Sequence, residues 1–267
     1  MSQKNIIDFY NKFNEADRMT RESLEFMRKK EIIERYLHKD SMTVADIGGA
    51  TGSFSFWLAQ NGHKVNLLDI TPLHLETAKQ YEKTSGILLE SIIVGDARNL
   101  PYGENSFDIV LLMGPLYHLL ERKDRLLALS ETYRVLKPHG ILICDTITRF
   151  ASALDGYFTG MIYDEDFFPI IKNDILTGKH IDNSKKQIYF TDAYFHTHKE
   201  IAQEILCAGF GIKETLAVES FGWLINDINE KIEDEIYKEK ILQIIKMLEK
   251  EESLIGISGH LMTIAIK

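Results

Sequence analysis

The chain is poor in cysteine, with Cys144 and Cys207 as the two cysteines in 267 residues, and both fall in apolar segments. Two such thiols do not build a disulfide framework and favour a reducing compartment, so we expect a cytoplasmic protein. No apolar run is long enough to span a bilayer, so we expect no membrane partner. An excess of basic residues is also lacking, and the net charge of −9 argues against binding to nucleic acid.

Signatures of several site classes are missing as well. The sequence has no internal repeats, low-complexity tract or Pro/Ser-rich linker, which favours one domain over residues 1–267. The His-Thr-His stretch at 196–198 has no matching acid or cysteine cluster. We therefore expect surface histidines there and no metal site. A monomer or a homodimer is expected, with the charged segment 227–251 as one solvated helix or a dimer contact.

What the chain does have is an alternation of short apolar runs and amphipathic stretches between Val44 and Ile147. The runs are "TVADI", "KVNLLD", "SIIVGD", "FDIVLLMG" and "GILICDTI". Such alternation predicts an α/β fold with a doubly wound, mostly parallel sheet. Residues 1–40 are predicted to form an N-terminal helical cap. Residues 150–196, rich in Phe, Tyr and Asp and without a clear period, are predicted to form an inserted cap or lid.

A glycine-rich turn, "DIGGATG" at 46–52, stands between the first strand and the first helix of this alternation. Backbone N–H groups at a helix start favour an anionic ligand group. A dinucleotide fingerprint would need glycine at the first, third and sixth positions, but Ala50 and Ser53 occupy the last two of these. A P-loop is excluded because no Gly-Lys-Ser/Thr follows.

The turn, read as acid-x-Gly-x-small-x-Gly, resembles the first motif of class I S-adenosylmethionine-dependent methyltransferases. The stretches "VGDARNLPYGENSFDIVLLMGPLYHL" and "RVLKPHGILI" resemble later motifs, so the resemblance covers about residues 40–148. The stretches "GPLYHL", "THKEIAQEILCAGF" and "LIGISGHLMTIAI" resemble a branch of bacterial small-molecule methyltransferases. The resemblance implies a Rossmann-like seven-stranded sheet of order 3-2-1-4-5-7-6, with the last strand antiparallel. It also implies S-adenosyl-L-methionine as the cofactor.

The resemblance assigns roles to particular residues. Asp69 would accept hydrogen bonds from the ribose hydroxyls, Asp96 from the adenine amino group, and the Ala97 N–H would bind the adenine ring. Asp46 would chiefly anchor the turn, and the Ala50 methyl group would shift it slightly. The cofactor-binding set is Tyr10, Arg18, Asp46, Gly48, Gly49, Ala50, Gly52, Asp69, Ile70, Asp96, Ala97 and Met113. For Tyr10 and Arg18 the alternative is a solvated amphipathic helix.

On the acceptor side, His118 is the candidate general base, and the alternative is a histidine that only shapes its loop. Tyr117 is expected to bind the substrate or merely to pack. Aromatic residues of the insert would line an apolar pocket or form the insert's own core; they are Phe150, Tyr157, Phe158, Tyr163, Phe167 and Phe168.

These observations predict methyl transfer to a small-molecule acceptor by in-line displacement, a reaction that needs positioning more than acid–base chemistry. One alternative is a protein or nucleic-acid methyltransferase. The segment "GPLY" at 114–117 lacks the Asn that would hold the amino group of a planar base, which weakens that alternative. A non-catalytic module that binds S-adenosylmethionine is the other alternative.

Overall fold

The computed structural model describes residues 23–38, 40–184 and 189–267. The α-helices in these ranges are α1 (Leu24–Glu34), α2 (Ser53–Gln60), α3 (Pro72–Ser85), α4 (Pro115–His118), α5 (Arg122–Val135), α6 (Ala151–Thr159), α7 (Phe167–Thr177), α8 (His198–Cys207), α9 (Ile228–Lys231) and α10 (Glu235–Leu248). The strands are β1 (Thr43–Ile47), β2 (Lys64–Asp69), β3 (Ser91–Val94), β4 (Phe107–Leu112), β5 (Leu136–Ile147), β6 (Lys179–His180), β7 (Ala193–Tyr194), β8 (Gly211–Ala217) and β9 (His260–Ile266).

Seven strands form one sheet in the order β3-β2-β1-β4-β5-β9-β8. Strands β1 to β5 pair in parallel, and β9 is antiparallel to both of its neighbours. Because β6 and β7 form a separate hairpin, β8 and β9 are the sixth and seventh strands of the main sheet. The predicted α/β fold and the order 3-2-1-4-5-7-6 are therefore confirmed.

Helices cover both faces of the sheet because the central strands are apolar on both sides. In β4, Val110 and Leu112 pack in a core that includes Leu129 of α5 and Ile201 of α8. The alternate residues of β4 pack on the opposite face in a core that includes Ile33 of α1 and Leu58 of α2. Burial on both faces leaves the carboxyl edge of the parallel strands as the place where ligands bind in such sheets.

Residues 150–196 are more regular than their sequence suggested, so the expectation of an irregular insert was wrong. They form α6, α7 and the β6–β7 hairpin. Phe167, Ile170 and Ile171 follow helical spacing and pack with Tyr189 in a small separate core. The helices are only 9 and 11 residues long, so aromatic residues on their exposed faces hid the apolar period.

The charged segment at 227–251 is two helices rather than one. Asp234 breaks the run because its side chain accepts hydrogen bonds from the first backbone N–H groups of α10. Ile232 and Ile241 pack against Leu24 of α1. The sequence spacing predicts Ile236 on the same apolar side as Ile232 and Ile241, but Ile236 is 67% exposed, so this prediction is wrong.

Candidate functional site

A pocket of about 920 Å³ opens at the carboxyl edge of the sheet. Its wall is formed by the ends of β1, β2 and β4 together with α1 and the start of β9. Predicted cofactor residues on this wall are Gly48, Gly49, Ala50, Asp69, Ile70, Asp96, Ala97 and Met113. The topology therefore collects at one place residues that are far apart in the chain.

The glycine-rich turn leaves β1 through left-handed backbone conformations at Gly48, Ala50 and Gly52, with φ of 74°, 50° and 89°. The Gly48 N–H donates to the Leu68 carbonyl at 2.7 Å, which ties the turn to β2. Helix α2 starts directly after the turn, so its free N–H groups lie near the pocket. Ala50 stands in a region that L-residues with a side chain rarely adopt.

Asp69 ends β2 and is 6% exposed on the pocket wall. Its Oδ2 accepts from the Ala50 N–H at 3.0 Å, and its Oδ1 accepts from the Thr71 N–H at 2.7 Å. Each carboxylate oxygen has a second acceptor site, so these bonds leave capacity for a vicinal diol. Asp69 thus fixes the glycine-rich turn and presents acceptors to the pocket.

Asp46 lies beneath the turn and not on the pocket wall. Its Oδ2 accepts from the Ser55 hydroxyl at 2.7 Å, and a Cβ placed on Gly49 would come within 2.5 Å of it. Burial raises the pKa of Asp46 to about 6, because ionisation without water is costly. These contacts fit an anchor for the turn. Gly52 is also absent from the wall and supports the start of α2.

Asp96 and Ala97 follow β3 on the pocket wall. The Asp96 carboxylate pairs with the Arg98 guanidinium, with a shortest N–O distance of 2.7 Å. Arg98 also contacts Asp124 at 3.3 Å, so Asp96 belongs to a small ion-pair network. An adenine amino group at Asp96 would therefore share the carboxylate with Arg98.

The far side of the pocket is aromatic. Tyr117 and His118 lie in α4 after β4, with ring centroids 4.6 Å apart. His118 stacks on Phe190 of the insert, with centroids 5.9 Å apart. All three residues line the same pocket as the predicted cofactor residues, and the acceptor-binding role of Tyr117 and His118 stays a prediction.

The six insert aromatics expected near the acceptor do not line this pocket. Phe167 packs in the insert's own core. The other five are at least 43% exposed, so the pocket expectation was wrong for them. Ala151 and Phe190 are the insert residues that do line it. Tyr10 and Arg18 lie outside the described residues.

A charged group on the wall of the same pocket was not predicted from the sequence. Glu25, Lys29, Glu219 and His260 all line the pocket. Lys29 bridges Glu25 at 2.5 Å and the buried Asp145 at 2.7 Å. Burial acts to lower the pKa of His260, but the carboxylates of Glu25 and Glu219 outweigh it and raise this pKa to about 9. The sequence signal that could have revealed this group was His260, which stands at the start of an otherwise apolar strand.

His196 contradicts the expectation of surface histidines at 196–198. It is fully buried, and its Nε2 lies 3.4 Å from Oε2 of Glu204. Glu204 also accepts three hydrogen bonds from the buried Arg125. Helix α8 packs over α5, which places the ion pair of Glu204 and Arg125 between the two helices. His196 is internal because it lies against this pair. In the described part of the chain, no helix has the length and apolar character needed to cross a membrane.

A protein-family model for a methyltransferase domain matches residues 45–144, which include the glycine-rich turn, Asp69 and Asp96. A demethylmenaquinone methyltransferase from Oceanobacillus iheyensis is 30% identical over 186 residues, or 68% of this chain and 75% of that protein. A chloroplastic 2-methyl-6-phytyl-1,4-hydroquinone methyltransferase from Oryza sativa is 33% identical over 119 residues, or 44% of this chain and 34% of that protein.

The fold has a solved counterpart in a SAM-dependent methyltransferase from Methanosarcina mazei. The TM-score is 0.61 at 21% identity, and the match covers 88% of this chain and 96% of that chain. The pocket fits S-adenosylmethionine, since the turn brings its backbone to the wall and Asp69 offers acceptors there. The chain therefore belongs to the class I S-adenosylmethionine-dependent methyltransferases, and this cofactor is the methyl donor of the enzyme.

Proposed function

We propose that the small molecule methylated by this enzyme is an aromatic compound with a ring hydroxyl group, of the hydroquinone class. One observation carries the proposal. A single pocket joins the glycine-rich turn and Asp69 to the aromatic wall of Tyr117, His118 and Phe190. Flat aromatic walls bind planar rings by stacking and by burial of apolar surface.

The names of two relatives support the same class of acceptor. One is named for demethylmenaquinone and the other for a 1,4-hydroquinone. Both names describe a ring that carries oxygen at two positions. The second match spans only 34% of its relative, so it supports the class of ring and not the phytyl tail.

The residues expected to hold the cofactor are those of the turn, with Asp69 for the ribose and Asp96 and Ala97 for the adenine. When bound, S-adenosylmethionine would supply a methyl group on a positively charged sulfur, and the nucleophile would attack the methyl carbon in line with the departing sulfur. The work left to the protein is to align the acceptor and to exclude water.

Two cap segments would perform this exclusion in the proposed organisation, residues 1–40 and residues 150–196. Support comes from α1, which places Leu24 and Phe26 on the pocket wall, and from Phe190 of the insert. We further propose that the enzyme acts in the cytoplasm without a nucleic-acid partner, as a monomer or homodimer. The acidic balance and the free thiols of Cys144 and Cys207 support the first two points.

The test has two stages on the full chain. The first measures thermal unfolding with S-adenosylmethionine, S-adenosylhomocysteine and NAD. A ligand at a hundredfold excess over its Kd stabilises by about 2.7 kcal/mol, and we expect this only for the S-adenosyl compounds. The second stage incubates the protein with S-adenosylmethionine and 1,4-naphthohydroquinone under reducing conditions, and mass spectrometry locates any added methyl group.

We expect methylation of 1,4-naphthohydroquinone. We expect no methylation of the same ring without its hydroxyl groups. Catechol and a small peptide serve as matched acceptors. Methylation of the peptide alone would overturn the small-molecule proposal. Stabilisation by NAD alone would overturn the cofactor assignment itself.

A further inference from the structure

His260 occupies a special place in the sheet. It is the first residue of β9 and pairs with Ile147, the last residue of β5. Because β9 runs antiparallel, its first residue lies at the edge where the parallel strands end. His260 therefore reaches the same pocket as the glycine-rich turn, although β9 lies two strands beyond β4.

Glu219 fixes the orientation of this histidine. Its Oε1 lies 2.9 Å from Nδ1 of His260, and its Oε2 accepts from the Ser258 hydroxyl at 2.8 Å and from the His260 N–H at 3.1 Å. Glu219 is 2% exposed, so its carboxylate is held from several sides. A carboxylate at Nδ1 sets the tautomer in which Nε2 is able to accept a proton.

The charges around Nε2 of His260 favour its protonated state. Nε2 lies 3.8 Å from Oε1 of Glu25, on the pocket wall. The charged groups that face His260 are the carboxylates of Glu25, Glu219 and Asp145 and the ammonium of Lys29. Three formal negative charges against one positive charge favour an imidazolium over a neutral ring.

A metal ion is the competing reading of the same cluster. Glu25, Glu219 and His260 offer ligand atoms within 4.8 Å of one another. However, the Lys29 ammonium lies 2.5 Å from Glu25, and Nδ1 of His260 is paired with Glu219. A metal ion would have to displace this cation and break this pair. The geometry thus suits proton transfer better than coordination.

We propose that His260, oriented by Glu219, is the catalytic residue that removes the hydroxyl proton of the acceptor. The inference rests on the proposed function, since it needs an acceptor with a ring hydroxyl. The O–H bond breaks, the proton bonds to Nε2, and the electron pair remains on the acceptor. The methyl carbon bonds either to the phenolate oxygen or to a ring carbon, whose C–H proton is then lost to water as the ring regains its aromatic form, while the electrons of the broken S–C bond remain on sulfur. The proton on His260 then passes to water.

The pKa of His260 suits the removal of a proton from a phenol. A proton acceptor works best when its pKa lies near that of the group it deprotonates, and a phenol has a pKa of about 10. The pKa of His260, raised to about 9, approaches that value. As a consequence, kcat/KM should fall as the pH drops below this pKa, because the imidazole of His260 is then already protonated.

The first experiment measures the proton directly, by NMR titration of the histidine rings in the full chain with S-adenosylhomocysteine bound. We expect an elevated pKa for His260 and a lower one in Glu25→Gln, which removes a carboxylate without touching the bond at Nδ1. A His260 pKa that does not change in Glu25→Gln would overturn the electrostatic argument. His139→Asn, at an exposed position near the start of β5, is the matched histidine control.

The second experiment follows the reaction with 1,4-naphthohydroquinone. His260→Gln should lower kcat by about 10²–10⁴-fold. Glu25→Gln should move the acidic limb of the kcat/KM profile to lower pH. Binding of S-adenosylhomocysteine to His260→Gln, measured by calorimetry, tests whether that variant is folded; if it is not, the profile of Glu25→Gln decides alone.

The outcomes separate the two proposals. If the wild type binds S-adenosylhomocysteine and methylates the hydroquinone, but His260→Gln does so at the same rate, the base assignment fails and the function stands. A shift of the acidic limb in His118→Asn, with no shift in Glu25→Gln, would also overturn it. If the wild type methylates no hydroxylated ring, the proposed function fails first. Inhibition by a chelator with rescue by zinc would favour the metal reading.

Discussion

Asp46 should make the folded protein less stable as the pH rises, and the effect is large enough to measure. Its pKa is raised from 3.8 to about 6 by burial, with the Asp69 charge adding to the shift and the Ser55 hydroxyl opposing it. Because the folded state holds this proton more tightly than the unfolded state, the unfolding free energy falls between about pH 4 and pH 6 and levels off above that range. A shift of about two units corresponds to roughly 3 kcal/mol.

The perturbation is Asp46→Asn, which keeps the size of the side chain and an oxygen that accepts from Ser55. Asparagine does not ionise, so the pH-dependent cost disappears. Urea unfolding at several pH values between 4 and 8 gives the free energy of unfolding for each protein. The difference between wild type and variant cancels the titration of all other groups. We expect this difference to change by roughly 3 kcal/mol in favour of the variant as the pH rises from 4 to 8.

Asp124→Asn is the matched control, since the side chain of Asp124 is 30% exposed and pairs with Arg98. Its difference from the wild type should vary much less over the same range. Parallel pH curves for wild type and Asp46→Asn would refute the reasoning, because they would mean that Asp46 titrates alike in the folded and unfolded states.

Three further outcomes follow from the same contacts. Asp69→Ala should lose most of the thermal stabilisation by S-adenosylhomocysteine, and an unchanged shift in Tm would remove Asp69 from the site. Ala50→Gly should leave stability unchanged or raise it by up to about 1 kcal/mol in urea unfolding, because φ is +50° there. The reverse change at Gly86, whose φ is +72°, should cost about 1 kcal/mol, and equal effects of both changes would contradict the backbone argument. Glu204→Gln should lower the unfolding free energy by about 3–5 kcal/mol because it strands the buried Arg125, and a loss below 1 kcal/mol would contradict this.

Local patterns predicted the helix ends and the strand–helix alternation well. The capping box of Thr197 and Glu200 is present at the start of α8, and Gly209 closes the same helix in a left-handed conformation. Thr71 followed by Pro72 is a sequence pattern that predicts a helix start, and α3 does begin there. These features depend on residues within one turn of each other, so they can be predicted from short windows of sequence.

The insert was harder to predict because its aromatic residues are distributed between a small core and the surface. Phe167 is buried, while the adjacent Phe168 is 45% exposed. Composition shows that a segment is rich in aromatics, but the packing partner decides which of them face inward. The position of Phe190 beside His118 likewise depends on where the hairpin lies against α4.

The sequence by itself determined the strand–helix alternation, the glycine-rich turn and the acids that follow neighbouring strands, because each depends on local spacing within one α/β repeat. The order of the sheet was implied by the resemblance to class I methyltransferases. Only the tertiary structure decided the charged group on the pocket wall. Glu25, Glu219 and His260 come from α1, the end of β8 and the start of β9, and they meet because β9 inserts antiparallel between β5 and β8. No short window of sequence contains all three residues, because their proximity depends on how distant strands pair.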